Sequence, residues 1–275
     1  MTFSIVARSS DGAEWGVAVA SKFLAVGSAV PAARAGVGAI ATQAYANTRF
    51  KPRGLALLAE GRSADETLAE LLSSDDGRAH RQVGVVDREG SAATYTGQEC
   101  YDWAGGVTDD GVSIQGNILT GADVVDAVHA RWRDLDPGAP LARRLLAALR
   151  AGDDAGGDSR GRQSAALLVV EEAAGYAGLD DVAVDLRVDD HADPCAELAR
   201  LLDLHELFFG TTAEQDKVAI DQHLRDELER LAGRTGRDGF EAWVGAENFE
   251  NRVWPDAIDR KVLEILRAQA GRSAP

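Results

Sequence analysis

Two short strands joined by a tight polar turn open the chain, and this hairpin limits its fold more than any other sequence feature. Residues 2–7 (TFSIVA) and 15–20 (WGVAVA) are apolar, β-branched runs typical of strands. The segment 9–12 (SSDG) between them is a polar turn, which predicts an antiparallel hairpin. Because side chains alternate along a strand, we expect Thr2 and Phe3 to face opposite sides of a sheet.

Runs of strands and runs of helices follow one another as far as about residue 206. A second hairpin is predicted over 82–96, helical apolar spacing marks 122–132 and 141–149, and 165–170 is again a strand. Such segregated runs predict an α+β fold with antiparallel sheets, because a doubly wound parallel sheet needs strands and helices in alternation.

The pattern changes near Gly210, where we place a domain boundary. The predicted domains are residues 1–208 and residues 209–275, and the second is mostly helical, with leucines at helical spacing from Leu224 onward. The aromatic residues expected to form its small core are Trp243, Phe249 and Trp254.

Charge and cysteine content exclude several classes of partner and location. The net charge of −16 disfavours nucleic acid and anionic membrane surfaces as partners. No window is apolar for long enough to span a membrane, and no secretory signal is visible at the N-terminus. Cys100 and Cys195 form no disulfide framework, so we expect a cytoplasmic protein, and we expect it to be a homo-oligomer.

Motifs of the common cofactor and metal chemistries are absent from the sequence. It contains no GxxxxGK[ST] phosphate loop, no HExxH, no Cys–His zinc spacing and no GxSxG elbow. We therefore expect no cofactor and no metal. Calcium binding by the acidic loops around Asp153 and Asp189 is an alternative, but solvated charge explains such runs better.

The N-terminus is the place where nucleophilic chemistry is expected. Thr2 is small enough that the preceding Met1 is normally removed, which leaves a threonine with a free α-amine. That amine titrates near pH ~7.7–8.0, and its neutral form can accept the hydroxyl proton directly or through one water. One residue then supplies nucleophile and base. From the residue alone, however, a threonine at position 2 is common and indicates no function.

Three polar clusters follow or precede predicted strands, at 42–47 (TQAYAN), 115–117 (QGN) and 156–164 (GGDSRGRQS). Amides and glycine-exposed N–H groups at strand ends suit an oxyanion site, and arginines there can bind a carboxylate. The alternative is that the amides satisfy loop backbone and that Asp158 and Arg160 form a loop-fixing ion pair. The expected catalytic residues are Thr2, Gln43 and Asn117. The expected substrate-binding residues are Asn47, Gln115, Gly116, Asp158, Arg160, Arg162 and Gln163.

Residues 2 to about 206 resemble, in order, the family catalogued as domain of unknown function 1028. The segments that carry the resemblance are TFSIVA at 2–7, GVAVASKFLAVG at 16–27, GAIATQ at 38–43, RQVGVVD at 81–87, QGN at 115–117 and RGRQSAA at 160–166. This family is grouped with the N-terminal-nucleophile (Ntn) hydrolases, which implies a four-layer αββα sandwich. The tail resembles a small peptidoglycan-binding domain that often follows it, through WVG at 243–245 and ENFE at 247–250.

The resemblance implies an amidohydrolase that cleaves a small-molecule amide through Thr2, with Asn117, Gln43 or backbone N–H groups holding the oxyanion. A ring-opening or ring-closing amidohydrolase is a weaker variant of this hypothesis. The alternative is a catalytically inactive scaffold whose C-terminal domain binds cell-wall glycopeptide or a protein partner. An acidic chain without an export signal fits cell-wall binding outside the cell poorly.

The sequence departs from the wider superfamily near the nucleophile. Proteasome-like members carry an aspartate and a lysine that tune the terminal amine, whereas the second strand here reads VASK at 19–22, with no carboxylate. Lys22 or Arg34 is the expected source of positive charge.

Overall fold

The computed structural model describes residues 2–272, which divide into two compact units between residues 201 and 202. The strands of the first unit are β1 (Thr2–Arg8), β2 (Glu14–Ser21), β3 (Pro31–Arg34), β4 (Gly38–Ala44), β5 (Arg81–Asp87), β6 (Ala92–Thr96), β7 (Gly105–Asp109), β8 (Val112–Asn117), β9 (Ser164–Glu171) and β10 (Val182–Val188). Its helices are α1 (Val26–Ala29), α2 (Phe50–Ala59), α3 (Ala64–Ser73), α4 (Asp123–Asp134) and α5 (Leu141–Asp154), and α6 (Pro194–Phe209) begins in it.

The first sheet has the order β10-β9-β2-β1-β8-β7, and all its neighbouring strands are antiparallel. The predicted N-terminal hairpin is β1 with β2, in the register Phe3 opposite Ala20. On its other side β1 pairs with β8, so that Thr2 lies opposite Asn117. β1 is therefore a central strand, and Thr2 at its start lies between β2 and β8.

The second sheet has the order β3-β4-β5-β6 and packs face to face on the first, with β4 and β5 against β1 and β8. Helices α4 and α5 cover the outer face of the first sheet, and α2 and α3 cover the outer face of the second. These are the four layers of an αββα sandwich, so the predicted α+β class and the layer order are both confirmed.

Alternation along the strands explains which side chains fill each layer. In β4, Ala39 and Ala41 lie between the sheets with Val6 of β1, whereas Ile40 packs under α2 and α3 with Leu58. Successive residues of β4 thus fill two different layers, one between the sheets and one under the helices. Phe3 lies under α5, where a Cβ on Gly152 would come within 3.1 Å of the Phe3 ring. Thr2 and Phe3 therefore face opposite sides, as expected.

The second unit is a small helical unit with a two-stranded sheet. Its elements are β11 (Lys217–Ala219), α7 (Gln222–Arg234), α8 (Phe240–Glu247), β12 (Ala257–Asp259) and α9 (Arg260–Arg272). Trp243 and Phe249 lie in its core, with ring centroids 5.6 Å apart. Trp254 was expected in this core and is not part of it, because its partly exposed ring is covered by the Lys217 ammonium at 4.7 Å from the centroid.

The boundary predicted at 208/209 lies at the end of α6, whereas the division between the two units falls inside that helix. The domain limits themselves stay a prediction. Along the stretch 2–272, no helix has both the length and the apolar character needed to cross a membrane.

Candidate functional site

Thr2 is the first residue of β1 and points between the two sheets, at the end of the sandwich where β2, β4 and β8 also end. Its side chain is almost fully buried, with 6% of its surface exposed. The Thr2 hydroxyl oxygen lies 3.0 Å from the hydroxyl of Ser21, the last residue of β2. The candidate nucleophile therefore sits at the end of a buried strand.

Two amides from different sheets bind the backbone carbonyl of Thr2. The Gln43 side chain, on β4, donates to this carbonyl at 3.2 Å, and the Asn117 side chain, on β8, donates to it at 3.4 Å. Both amides also donate to the side-chain oxygen of Gln82, on β5, at 2.8 Å. The two residues predicted as catalytic partners thus meet at Thr2, on its main chain.

Gln82 links these residues and was not singled out from the sequence. It is fully buried, and its NH2 group donates to the carbonyl of Gly116 at 2.7 Å and to the Thr96 hydroxyl at 2.9 Å. The sequence feature that points to Gln82 is a glutamine inside an otherwise apolar strand. A buried amide needs hydrogen-bond partners for both its oxygen and its NH2 group, so such a residue indicates a polar network. Ser21 was missed for a different reason, since a serine at a strand end is commonplace.

Gln115 and Ser4 extend the same network away from the site. The Gln115 amide donates to the Ser4 hydroxyl at 2.6 Å, and that hydroxyl donates to the Gln43 oxygen at 2.7 Å. Gly84 faces Gln115, and a Cβ there would lie 2.1 Å from the Gln115 amide oxygen. We call the buried side chains that form this network the amide layer. Its members are Ser4, Gln43, Gln82, Gln115 and Asn117.

Asp158 brings the glycine-rich loop to the same end of the sandwich. Its carboxylate accepts from the backbone N–H of Lys22 at 2.7 Å, next to Ser21, and from that of Arg160 at 2.9 Å. The Arg160 guanidinium also lies 3.4 Å from this carboxylate, with nearly half of the side chain exposed. Asp158 is buried and pairs with Leu119, just beyond β8. The loop is therefore fixed beside Lys22, and Arg160 remains open to solvent.

Other predicted substrate-binding residues are engaged in separate contacts. Arg162 donates to Asp153 at 2.9 Å, and this hydrogen bond raises the pKa of Arg162. Gln163 donates to Asp190 at 3.1 Å. Gly116 is required for packing, because a Cβ there would come 2.3 Å from the Leu119 side chain.

Asn47 lies in a cluster of its own, beyond the end of β4. It donates to Asp75 at 3.2 Å, and Arg81 donates to the same carboxylate at 2.7 Å. The Arg81 hydrogen bond is the main cause that lowers the pKa of Asp75 to about 2. The structure thus gives Asn47 a loop-fixing contact.

Left-handed backbone occurs at non-glycine residues near three of the strand ends around Thr2. These residues are Ala25 beyond β2 (φ 52°), Ala44 at the end of β4 (φ 63°) and Ile118 beyond β8 (φ 52°). Such conformations are unfavourable for residues with a Cβ and concentrate at functional sites. Their convergence here supports the choice of this end of the sandwich as the candidate site.

Residues 2–198 match the sequence profile of a family described as a family of unknown function, DUF1028, and residues 224–266 match that of a peptidoglycan-binding domain. None of the curated proteins matches the chain. Protein SPO2555 from Silicibacter pomeroyi, of the same family, has 32% sequence identity to this chain. Its crystal structure superposes with a TM-score of 0.67, and the alignment covers 74% of this chain and 89% of that chain. Anbu, an ancestral β-subunit from Yersinia bercovieri, aligns at 13% identity with a TM-score of 0.33, over 74% of this chain and 93% of that chain.

Replacing Gln82 with leucine is expected to destabilise the first unit by at least about 2 kcal/mol. The change removes the acceptor that Gln43 and Asn117 share and the donor to the Gly116 carbonyl, and each buried hydrogen-bonding group that loses its partner costs about 1–3 kcal/mol. Urea denaturation followed by circular dichroism measures the loss. Gln98→Leu, at an exposed glutamine, is the matched control and should change stability by less than ~0.5 kcal/mol. Equal stability of Gln82→Leu and wild type would contradict the structural role of the layer.

Replacing Asp75 with asparagine is expected to lower stability at neutral pH by about 2 kcal/mol, the equivalent of a pKa lowered from 3.8 to about 2. Because the folded-state pKa is depressed, this stabilisation is present above pH ~4 and is lost as the pH falls through about 2. Urea titrations at pH 7 and pH 3 should show the difference between variant and wild type shrinking. Asp76→Asn, at the exposed neighbour, serves as control. A difference independent of pH would refute the assignment.

Proposed function

The chain belongs to the family of unknown function DUF1028, and from that premise we propose that it is an N-terminal-nucleophile hydrolase that cleaves a small-molecule amide through Thr2. The observation that carries the proposal is the position of Thr2. It heads a central strand, two amides fix its carbonyl, and its hydroxyl contacts Ser21 at one end of the sandwich.

In the proposed reaction the Thr2 hydroxyl oxygen attacks the carbonyl carbon of the substrate amide. The hydroxyl proton passes to the α-amine of Thr2, and the carbonyl π electrons move onto oxygen. When the tetrahedral intermediate collapses, the carbon–nitrogen bond breaks and the leaving amine takes the proton. Water then hydrolyses the ester on Thr2 by the reverse sequence. The mechanism requires removal of Met1, which lies outside the described residues.

We assign Gln43 and Asn117 to positioning Thr2. The Gln43 NH2 group donates to the Thr2 carbonyl, to Gln82 and to the Gln115 carbonyl, so its two hydrogens are already shared among three acceptors. Holding the Thr2 main chain from two sheets fixes the direction of the hydroxyl, and orientation of this kind contributes strongly to catalysis. A direct role for either amide in holding the oxyanion stays a prediction.

We propose that the substrate carries an acidic group. Arg160 is half exposed beside the buried Asp158, and Lys22 is exposed next to Ser21. An arginine whose position is fixed by a carboxylate can still present its outer N–H groups to a second anion. Both cations lie at the Thr2 end of the sandwich, so the acidic group would lie beside the scissile amide.

The test is covalent labelling with a β-lactone, which needs no knowledge of the natural substrate. Attack by the Thr2 hydroxyl opens the lactone to an ester, so the intact mass rises by the full mass of the reagent. We expect one label per chain on protein whose N-terminal sequence begins at Thr2. The labelling rate should rise with pH through about 7–8, because the α-amine accepts the proton only when neutral.

Variants identify the labelled atom. Thr2→Ser should keep labelling, because hydroxyl and amine both survive, whereas Thr2→Ala should lose it with little change in melting temperature. Thr48→Ala, at an exposed threonine, is the matched control and should label like wild type. Labelling that persists in Thr2→Ala, or a purified protein that keeps Met1 and still reacts fully, would overturn the mechanism.

A second candidate function is glycopeptide binding by the C-terminal unit, which the match of residues 224–266 to a peptidoglycan-binding domain supports. That unit contains a cavity of about 510 Å³ lined by both signs of charge. Arg252 fixes one wall, because it donates to the Leu207 carbonyl at 2.7 Å and pairs with the buried Asp259 at 3.3 Å. A peptide bearing carboxylates and free amines matches such a surface.

We propose that the protein is located in the cytoplasm, where the thiols of Cys100 and Cys195 would stay reduced.

Cosedimentation of the full chain with purified peptidoglycan sacculi tests this second candidate. We expect binding that falls several-fold in the double variant Arg260→Met and Lys261→Met, because these cations line the cavity. Arg267→Met, whose guanidinium pairs with Glu227, is the control. Absence of sedimentation, or equal binding by all variants, would remove the candidate.

A further inference from the structure

A second cavity in the first unit lies at the opposite end of the sandwich from Thr2. It has a volume of about 290 Å³ and lies among the β1–β2, β5–β6 and β7–β8 turns and the helices α4 and α5. Arg8, which lines it, is six residues along β1 from Thr2, about 20 Å away at ~3.3 Å per residue. This cavity is therefore separate from the proposed hydrolase site.

Arg144 is the residue that makes this cavity unusual. Its side chain is about 94% buried, with 6% exposed, and its guanidinium stacks on the Trp132 ring at 3.8 Å from the centroid. Among the described residues, its one side-chain hydrogen bond is a long one, from Nη1 to the Pro137 carbonyl at 3.5 Å, and its Nε is buried without a partner. Burial lowers the pKa of Arg144, which is the expected effect of a charge removed from water.

Arg8 places a second guanidinium at the same cavity. Its Nε is likewise buried without a partner, and its guanidinium carbon lies 5.7 Å from the centre of the Trp15 ring. Across residues 2–272, neither arginine has a carboxylate within 4.0 Å of its guanidinium nitrogens. Two guanidinium groups, of which that of Arg144 is stacked on a ring, thus line one cavity without an ion-pair partner among the described residues.

Among the described residues, the acidic groups near this cavity form no ion pair with either guanidinium. Asp110 of the lining is exposed to solvent, and Asp11 acts on Arg8 and Asp136 on Arg144 only from beyond ion-pair distance. An unpaired buried charge is strongly unfavourable, whereas a buried guanidinium that meets an anion gains charge-assisted hydrogen bonds. Stacking on Trp132 occupies a face of the Arg144 guanidinium and leaves its edges, which carry the N–H donors, for a ligand.

We infer that this cavity binds a small oxyanion, a phosphate or carboxylate group, between Arg8 and Arg144. A volume near that of ten water molecules, at ~30 Å³ each, accommodates a phosphate ion or a small organic anion and excludes a polymer. The inference is independent of the chemistry at Thr2, because none of its residues belongs to that site.

Isothermal titration of the full chain with inorganic phosphate tests the inference, with citrate as a second probe and sodium chloride at matched ionic strength as reference. We expect saturable binding of one phosphate per chain and a melting temperature that rises with phosphate concentration. Arg144→Met keeps the apolar stem on Trp132 and removes the charge, so it should weaken phosphate binding at least tenfold. Arg150→Met, exposed on the same helix, makes the same change in net charge and should bind like wild type.

A second variant covers the case in which Arg144→Met does not fold. Arg8→Met changes a residue that is only half buried and should also weaken binding tenfold or more. Binding of citrate but not phosphate would identify a carboxylate as the ligand group and would still support the site. No saturable binding of either anion to wild type, or undiminished binding in a folded Arg144 or Arg8 variant, would overturn the inference.

Discussion

The carbonyl of Thr2 is the point on which the candidate site depends. One main-chain oxygen accepts hydrogen bonds from Gln43 on the second sheet and Asn117 on the first, and Gln82 connects those two donors. Breaking a buried hydrogen bond of this kind lowers the stability of the fold. The amide has already given up its hydration on folding, and it finds no other partner in the interior. The sandwich and the position of Thr2 are therefore stabilised by the same contacts.

The layered fold could be predicted from the sequence because its signals are local. Alternation in residues 2–7 and the short polar turn determine the hairpin, and Phe3 and Thr2 separate to opposite faces as strand geometry requires. The role of the glycines that let the sheets meet was harder to see. A side chain at position 84 would overlap the Gln115 amide on the other sheet. This contact exists only once both sheets are in place.

The candidate site could be predicted only in part. Gln43 and Asn117 are predicted because amides at strand ends suit an oxyanion site, yet nothing in the sequence tells whether they bind a side chain or a main-chain carbonyl. Arg162 and Gln163 pair with Asp153 and Asp190, and the partner of a charged loop residue is decided by tertiary structure. Asn47 belongs to the cluster around Asp75 because the chain turns away after the left-handed Ala44.

The amide layer consists of amides and hydroxyls, and none of these groups ionises near neutral pH. Its hydrogen-bonding capacity is therefore the same in a weakly acidic and a weakly alkaline medium. The hydrogen bonds that join the two sheets beside Thr2 are therefore made by uncharged dipoles. A change of pH near neutrality therefore leaves the contacts that hold the Thr2 carbonyl as they are.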